Sequence, residues 1–177
     1  MRLRRTLPIF ACLMFLVAGS LSSWAQAKLP VTDTKSLSGK QVKVPAQDRL
    51  TLVVAGFTKA SSDADAAWWK KAAPLCQQNP QVACYQVAVL ESAPRFVRPM
   101  IVGSMKRGTP PAQQDIFLTS FENEKAWKQA LSYSAPDNAY VALIDSSGTV
   151  LWLQNGGKDA AGDLSGLARV LQAKGAR

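Results

Sequence analysis

Histidine is missing from all 177 residues of the chain. Its absence excludes Ser-His-Asp and Cys-His catalytic arrangements and removes the commonest ligand of transition metals. Cysteine is scarce: Cys12, Cys76 and Cys84 are the whole set, and no two of them form a C-x-x-C. Acidic residues are few, 12 against 21 basic ones, for a formal charge of +9. There are no internal repeats and no low-complexity linker. Nothing in the sequence calls for a metal or a cofactor.

What is present begins with a targeting pattern. Arg2, Arg4 and Arg5 precede an apolar run at residues 9–18, and Ala25-Gln26-Ala27 supplies a small-x-small cleavage site. The run is too short to span a bilayer as a mature helix. Residues 1–27 are therefore expected to be a signal peptide that takes Cys12 with it. Residues 28–177 are expected to form a single exported domain, periplasmic or secreted. Without the three leading arginines the charge falls to +6, spread along the chain rather than blocked. That balance favours acidic partners or an anionic membrane surface. No nucleic-acid partner is expected, because an exported protein rarely meets one.

Cys76 and Cys84, with seven residues between them, would lie in an oxidising space, where a disulfide is the favoured state. Closing so short a loop stabilises a fold by about 2–3 kcal/mol. Two free thiols are the second reading. A third makes the pair a dithiol catalyst, although no helix N-terminus falls at either cysteine to lower its pKa.

Residues 28–44 read as a β-hairpin around Ser38-Gly39-Lys40, with Val31 and Leu37 apolar and Pro45 closing it. Residues 50–57 (LTLVVAGF) are a continuous β-branched run suited to a strand covered on both faces. A helix follows to about Cys76, with Ser62 as its cap and Asp65 three residues on, Trp68, Ala72 and Leu75 on one face, and Pro74 shortening its end. Residues 82–90 give the next strand. Pro94 opens a second helix, whose Phe96, Val97, Met100, Ile101 and Met105 repeat at helical spacing, with Arg95, Arg98 and Lys106 on another face. Residues 115–118 are a short strand, and Thr119 with Glu122 forms a capping box for a third helix that buries Phe121, Trp127, Ala130 and Leu131. Residues 138–157 (NAYVALIDSSGTVLWLQNGG) are two apolar strands joined by the Asp145-Ser146-Ser147-Gly148 turn. Leu164, Leu167, Val170 and Leu171 outline a last helix. Right-handed β-α-β crossings make the middle strands parallel, and the late hairpin adds antiparallel pairing.

That order, with its IDSSG hairpin and a glycine before the last helix, resembles the thioredoxin fold from about Leu37 onward. The resemblance implies a three-layer α/β domain with a mixed central sheet, helices on both faces and an N-terminal β-hairpin. The segment VALIDSSGTVLWLQNGG, followed by Ala160, Asp163 and Leu167, is similar to the closing segment of the mitochondrial ATP synthase assembly-chaperone family. Trp152 and Gly156 or Gly157 match there, and Trp68 or Trp69 matches a tryptophan after the first core strand. Redox-active relatives carry C-x-x-C where this chain has Ser62 and Asp65, counting from Phe57. The cis-proline that relatives place six residues before the turn aspartate is replaced by Ala139, and Pro136 stands three residues too early. The resemblance thus implies the fold without its usual thiol chemistry.

No residue is assigned a catalytic role. Helix capping accounts for Ser62 and Asp65 without making a serine the nucleophile, since only a lysine such as Lys59 remains as a base. The binding surface is expected around Ser62 and Trp69, and on Arg95, Arg98 and Lys106. The function read from this is an exported, redox-inactive binding or assembly factor, chaperone-like, whose partner is a protein, with a membrane complex as one candidate and an anionic membrane surface as another. The alternative is an atypical thiol-disulfide oxidoreductase or peroxiredoxin-like enzyme using Cys76 and Cys84.

Overall fold

The apolar run at residues 50–57 becomes an interior strand of a seven-stranded mixed sheet. A computed structural model describes residues 27–174; the expected signal peptide, residues 1–27, lies outside them except for Ala27. The strands are β1 (Thr32–Ser36), β2 (Gln41–Val44), β3 (Thr51–Gly56), β4 (Ala83–Val89), β5 (Phe117–Ser120), β6 (Ala139–Ile144) and β7 (Val150–Gly156). The helices are α1 (Ser62–Gln78), α2 (Arg98–Gly108), α3 (Glu124–Ala130) and α4 (Ser165–Ala173). Across the sheet the order is β2-β1-β5-β4-β3-β6-β7. The pairs β3–β4 and β4–β5 are parallel, as crossover helices require, and the remaining pairs are antiparallel.

β3 and β6 are buried along their whole length, and strand alternation divides their side chains between two layers. Leu52, Val54, Val141 and Leu143 meet Trp68 and Ala72 of α1 and Leu167 and Leu171 of α4. Val53, Ala55, Tyr140, Ala142 and Ile144 meet Trp127 of α3 and Leu131 just after it. This is why residues 50–57 show no polar alternation in sequence.

The late hairpin forms as its sequence requires. Asp145 Oδ1 accepts the Ser147 and Thr149 amides, each at 2.9 Å, and Gly148 stands at φ 90°. Gly148 is needed twice over, because a Cβ there would sit 2.1 Å from the Leu29 carbonyl oxygen. Leu29 donates its own amide back to the Gly148 carbonyl at 2.8 Å and is fully buried, whereas Val31 is exposed. The chain entering the first hairpin thus contributes Leu29 to the core.

Several boundaries differ from the sequence reading. α1 continues through Pro74 to Gln78; the carbonyl left without its amide partner belongs to Lys70, an exposed position where water can take its place. α2 begins at Arg98 rather than at Pro94, and β5 runs Phe117–Ser120 rather than residues 115–118. Thr119 does not cap α3. It is buried in β5, donating to the Lys35 carbonyl at 3.1 Å, and Phe121 precedes the helix and is only half-buried. α3 starts after Asn123, which adopts φ 60°, and the amide of Glu124 is capped at 2.6 Å by Glu91 from the end of β4. Glu124 returns the contact, accepting the Ser92 amide at 2.8 Å.

Candidate functional site

The turn from β3 into α1 is where the residues singled out around Ser62 lie. Thr58 opens it: its hydroxyl accepts the Ala60 amide at 3.1 Å and donates to the Pro136 carbonyl at 2.5 Å. That second bond ties the turn to the loop before β6. From the other side, Lys158 stands 3.7 Å from Asp63 in the first turn of α1. Three loops, around residues 58–62, 136–138 and 158–160, thereby converge on one end of the helix, and most of their residues are exposed.

Ser61, not Ser62, occupies the cap position, and it caps no helix amide. It is fully buried, and its Oγ lies 3.0 Å from the Thr58 carbonyl oxygen and 2.9 Å from Asp65 Oδ2. A hydroxyl has one proton, and the carbonyl can only accept. Both contacts are hydrogen bonds at once only if Asp65 is protonated and donates to Ser61. The surroundings favour that state. Burial pushes the Asp65 carboxyl up, the Ser61 hydroxyl pulls it partly back, and the group stands at about 7. Its Oδ1 is buried without a partner. Gly56 makes room for the carboxyl, since a Cβ there would fall 2.1 Å from Asp65 Oδ2. Ser62 is exposed and donates to the Lys59 carbonyl at 2.8 Å. No nucleophile–base pair results, because the buried serine faces its own helix and the exposed one bonds the backbone.

Trp69 lies two turns beyond Ser62 on the same side of α1, about 10 Å along the axis. It is half-buried against the second core layer, whereas its neighbour Trp68 is fully enclosed and donates to the Gly156 carbonyl at 3.0 Å. The basic candidates belong to a different element and do not form one group. Arg98 is turned inward: it donates to the Ala93 and Glu91 carbonyls at 2.9 and 2.8 Å and lies 4.8 Å over the Phe121 ring. Arg95 and Lys106 remain exposed. Arg98 thus orders the loop after β4, a role its spacing in sequence did not suggest.

The cysteines are joined. Cys76, in the last turn of α1, bonds Cys84 in β4, with Cα atoms 6.1 Å apart, and both pack against the second core layer. The bridge lies at the opposite end of α1 from Ser61 and Ser62. At the position of the cis-proline expected from the resemblance, Ala139 begins β6; the cis peptide among the described residues is Val44–Pro45. No group of three or more His, Cys, Asp or Glu side chains among the described residues could hold a metal ion.

Beyond the sequence reading, the end of β3 carries an aromatic cluster. Phe57 meets Tyr133 and Tyr140 edge-on at 5.1 and 5.4 Å, and Lys128 caps the Tyr133 ring at 4.7 Å. Beside it is an open hollow of about 570 Å³ bordered by Glu91, Glu124, Lys128 and Tyr133. Burial raises the Glu124 carboxyl, but Lys128 and the Ser92 amide outweigh it and hold the group below the usual range. Glu124 and Lys128 are an i,i+4 pair, whereas Phe57 and Glu91 come from distant segments that no spacing joins to them.

Comparison with known proteins gives structure without sequence. No family model matches the chain, and no curated protein matches it. Among solved structures it is similar to BsSco, of the Sco family of cytochrome c oxidase assembly proteins, at 11% identity and a TM-score of 0.57, covering 84% of this chain and 94% of that one. It is also similar to an exposed lipoprotein thioredoxin of Streptococcus pneumoniae, at 8% identity and 0.56, covering 81% and 99%. A thio-disulfide isomerase of Thermus thermophilus gives 16% identity and 0.53, covering 86% and 97%. At such identities the likeness is one of fold, and the fold of this chain is thioredoxin-like.

Proposed function

We propose that this protein is an exported, redox-inactive binding factor of the cell envelope that assists assembly in a chaperone-like way. One observation carries the reading: the helix that follows the first central strand begins with Ser61, Ser62 and Asp65, and the cysteine pair is locked at that helix's other end. A thiol catalyst needs a reactive sulfur at an exposed, electropositive position such as a helix N-terminus. Here that position holds a buried serine and a buried carboxyl. What remains at this end of α1 is a surface built from three loops with Ser62 and Trp69 on one side, suited to contact rather than to turnover. The likeness of the closing hairpin to the ATP synthase assembly-chaperone family, and the fold shared with a Sco assembly protein, support an assembly role with a protein partner.

Two measurements test it. In insulin-reduction and peroxide-consumption assays with dithiothreitol, the full chain should give no turnover above reductant alone, and the Cys76–Cys84 bridge should survive mild reductant. Catalysed turnover, or rapid reversible opening of the bridge, would replace this reading with a thiol enzyme. A photo-crosslinker placed at Ser62 in envelope preparations should give discrete adducts that are absent when it is placed at Lys43, an exposed residue of β2. Identical patterns at the two sites would remove the α1 surface.

A further inference from the structure

α2 is unlike the other helices in that none of its residues is buried. The turn before it presents Phe96 at 85% exposure, and its first turn presents Met100 at 67%. A single exposed apolar side chain is ordinary, but here two large ones fall four residues apart in a stretch whose charges are all positive. Met100 and Arg107 are two helical turns apart on the outward side, and Arg95 and Lys106 are exposed as well. Arg98 alone points inward, where backbone carbonyls hold it. From residue 92 to residue 114 the chain contains four basic residues and no acidic one.

We propose that this segment, with Phe96 and Met100 exposed and Arg95, Lys106 and Arg107 exposed along the same 13 residues, docks the protein on an anionic lipid bilayer. The inference goes beyond the assembly reading and does not depend on it. Two protruding apolar side chains on a convex helix offer too little surface for the roughly 800 Å² per partner of a specific protein interface. A bilayer asks for no shape complementarity. It accepts apolar side chains at the level of the headgroups and is attracted by cations placed around them. The unbroken positive sign of the stretch complements such a surface. No helix among the described residues is long and apolar enough to cross a membrane, so the contact is peripheral.

The test is co-sedimentation of the full chain with vesicles of phosphatidylcholine alone and with roughly one-third phosphatidylglycerol. Residues 1–18 carry arginines and an apolar run of their own, so the deciding readout is the difference between variants of the same chain. Arg95→Glu/Lys106→Glu/Arg107→Glu should lower partition onto the anionic vesicles by about 100-fold, at roughly fivefold for each cation lost. Phe96→Ser/Met100→Ser should lower it by about tenfold or more. All five side chains are exposed, so circular dichroism and thermal unfolding should match the parent chain. Unchanged partition in either variant overturns the proposal. So does loss of binding to an acidic protein partner with vesicle binding intact.

Discussion

Asp65 is the residue whose chemistry departs furthest from what its type suggests. An aspartate in the first turn of a helix ordinarily stays charged and benefits from the positive end of the dipole. Here burial against Gly56 favours the neutral acid and outweighs the opposing pull of the Ser61 hydroxyl, so that the group stands at about 7. In the unfolded chain the same group titrates near 3.8. The native state therefore holds a proton that the unfolded state has released. The resulting stability is complete below the unfolded value and is lost as pH rises through about 7. The loss amounts to roughly 1.4 kcal/mol per pH step, on the order of 4 kcal/mol in total. Asp65→Asn places an N–H where the protonated acid has its O–H, so it can keep the bond to Ser61 and has nothing to titrate. Urea unfolding should find the variant close to the parent near pH 4 and progressively more stable than it toward pH 8. A constant difference across that range would mean that Asp65 is charged throughout. Sequence showed the carboxyl and a nearby serine but assigned the cap to Ser62. The choice between adjacent serines depends on which one the β3–α1 turn directs inward, and spacing does not carry that.

The elements that were legible in sequence are those whose signals are local. The β6–β7 hairpin follows from one aspartate, one glycine and two apolar runs within twenty residues. β3 and β6 follow from their unbroken apolar character. α3 was misread because its cap is not local. Thr119 and Glu122 have the spacing of a capping box, yet Thr119 is held in β5 by the Lys35 carbonyl and by parallel pairing with β4. The helix amide is capped instead by Glu91, 33 residues earlier, and Glu124 reciprocates toward Ser92. Such a pair exists only after the sheet has assembled. Glu91→Ala should remove the charge-assisted bond to the Glu124 amide and destabilise the protein by about 1–2 kcal/mol. Glu122→Ala should change stability by less than about 0.5 kcal/mol, because Glu122 is exposed and its side chain caps nothing. Equal losses in denaturant unfolding would restore the local box.

Taken together, the layers of this fold are unequally secured. α1 and α4 bury their apolar faces on one side of the sheet and α3 does so on the other, while α2 buries none. The Cys76–Cys84 bridge adds a covalent tie between α1 and β4 within the better-packed part. A short closed loop restricts the unfolded chain, so its removal by Cys76→Ala/Cys84→Ala should lower global stability by about 2–3 kcal/mol. Amide hydrogen exchange would show where that loss is felt. The amides of β3 and β6 open only when the whole domain unfolds, and their protection should fall by roughly 30- to 150-fold in the double variant. The amides of α2, held by no buried side chain, open by local fluctuation that leaves the bridge intact. Their faster exchange should therefore be unchanged. If α2 lost protection in step with β3, it would belong to the same cooperative unit as the core, and its bare outer face could not be put down to loose attachment.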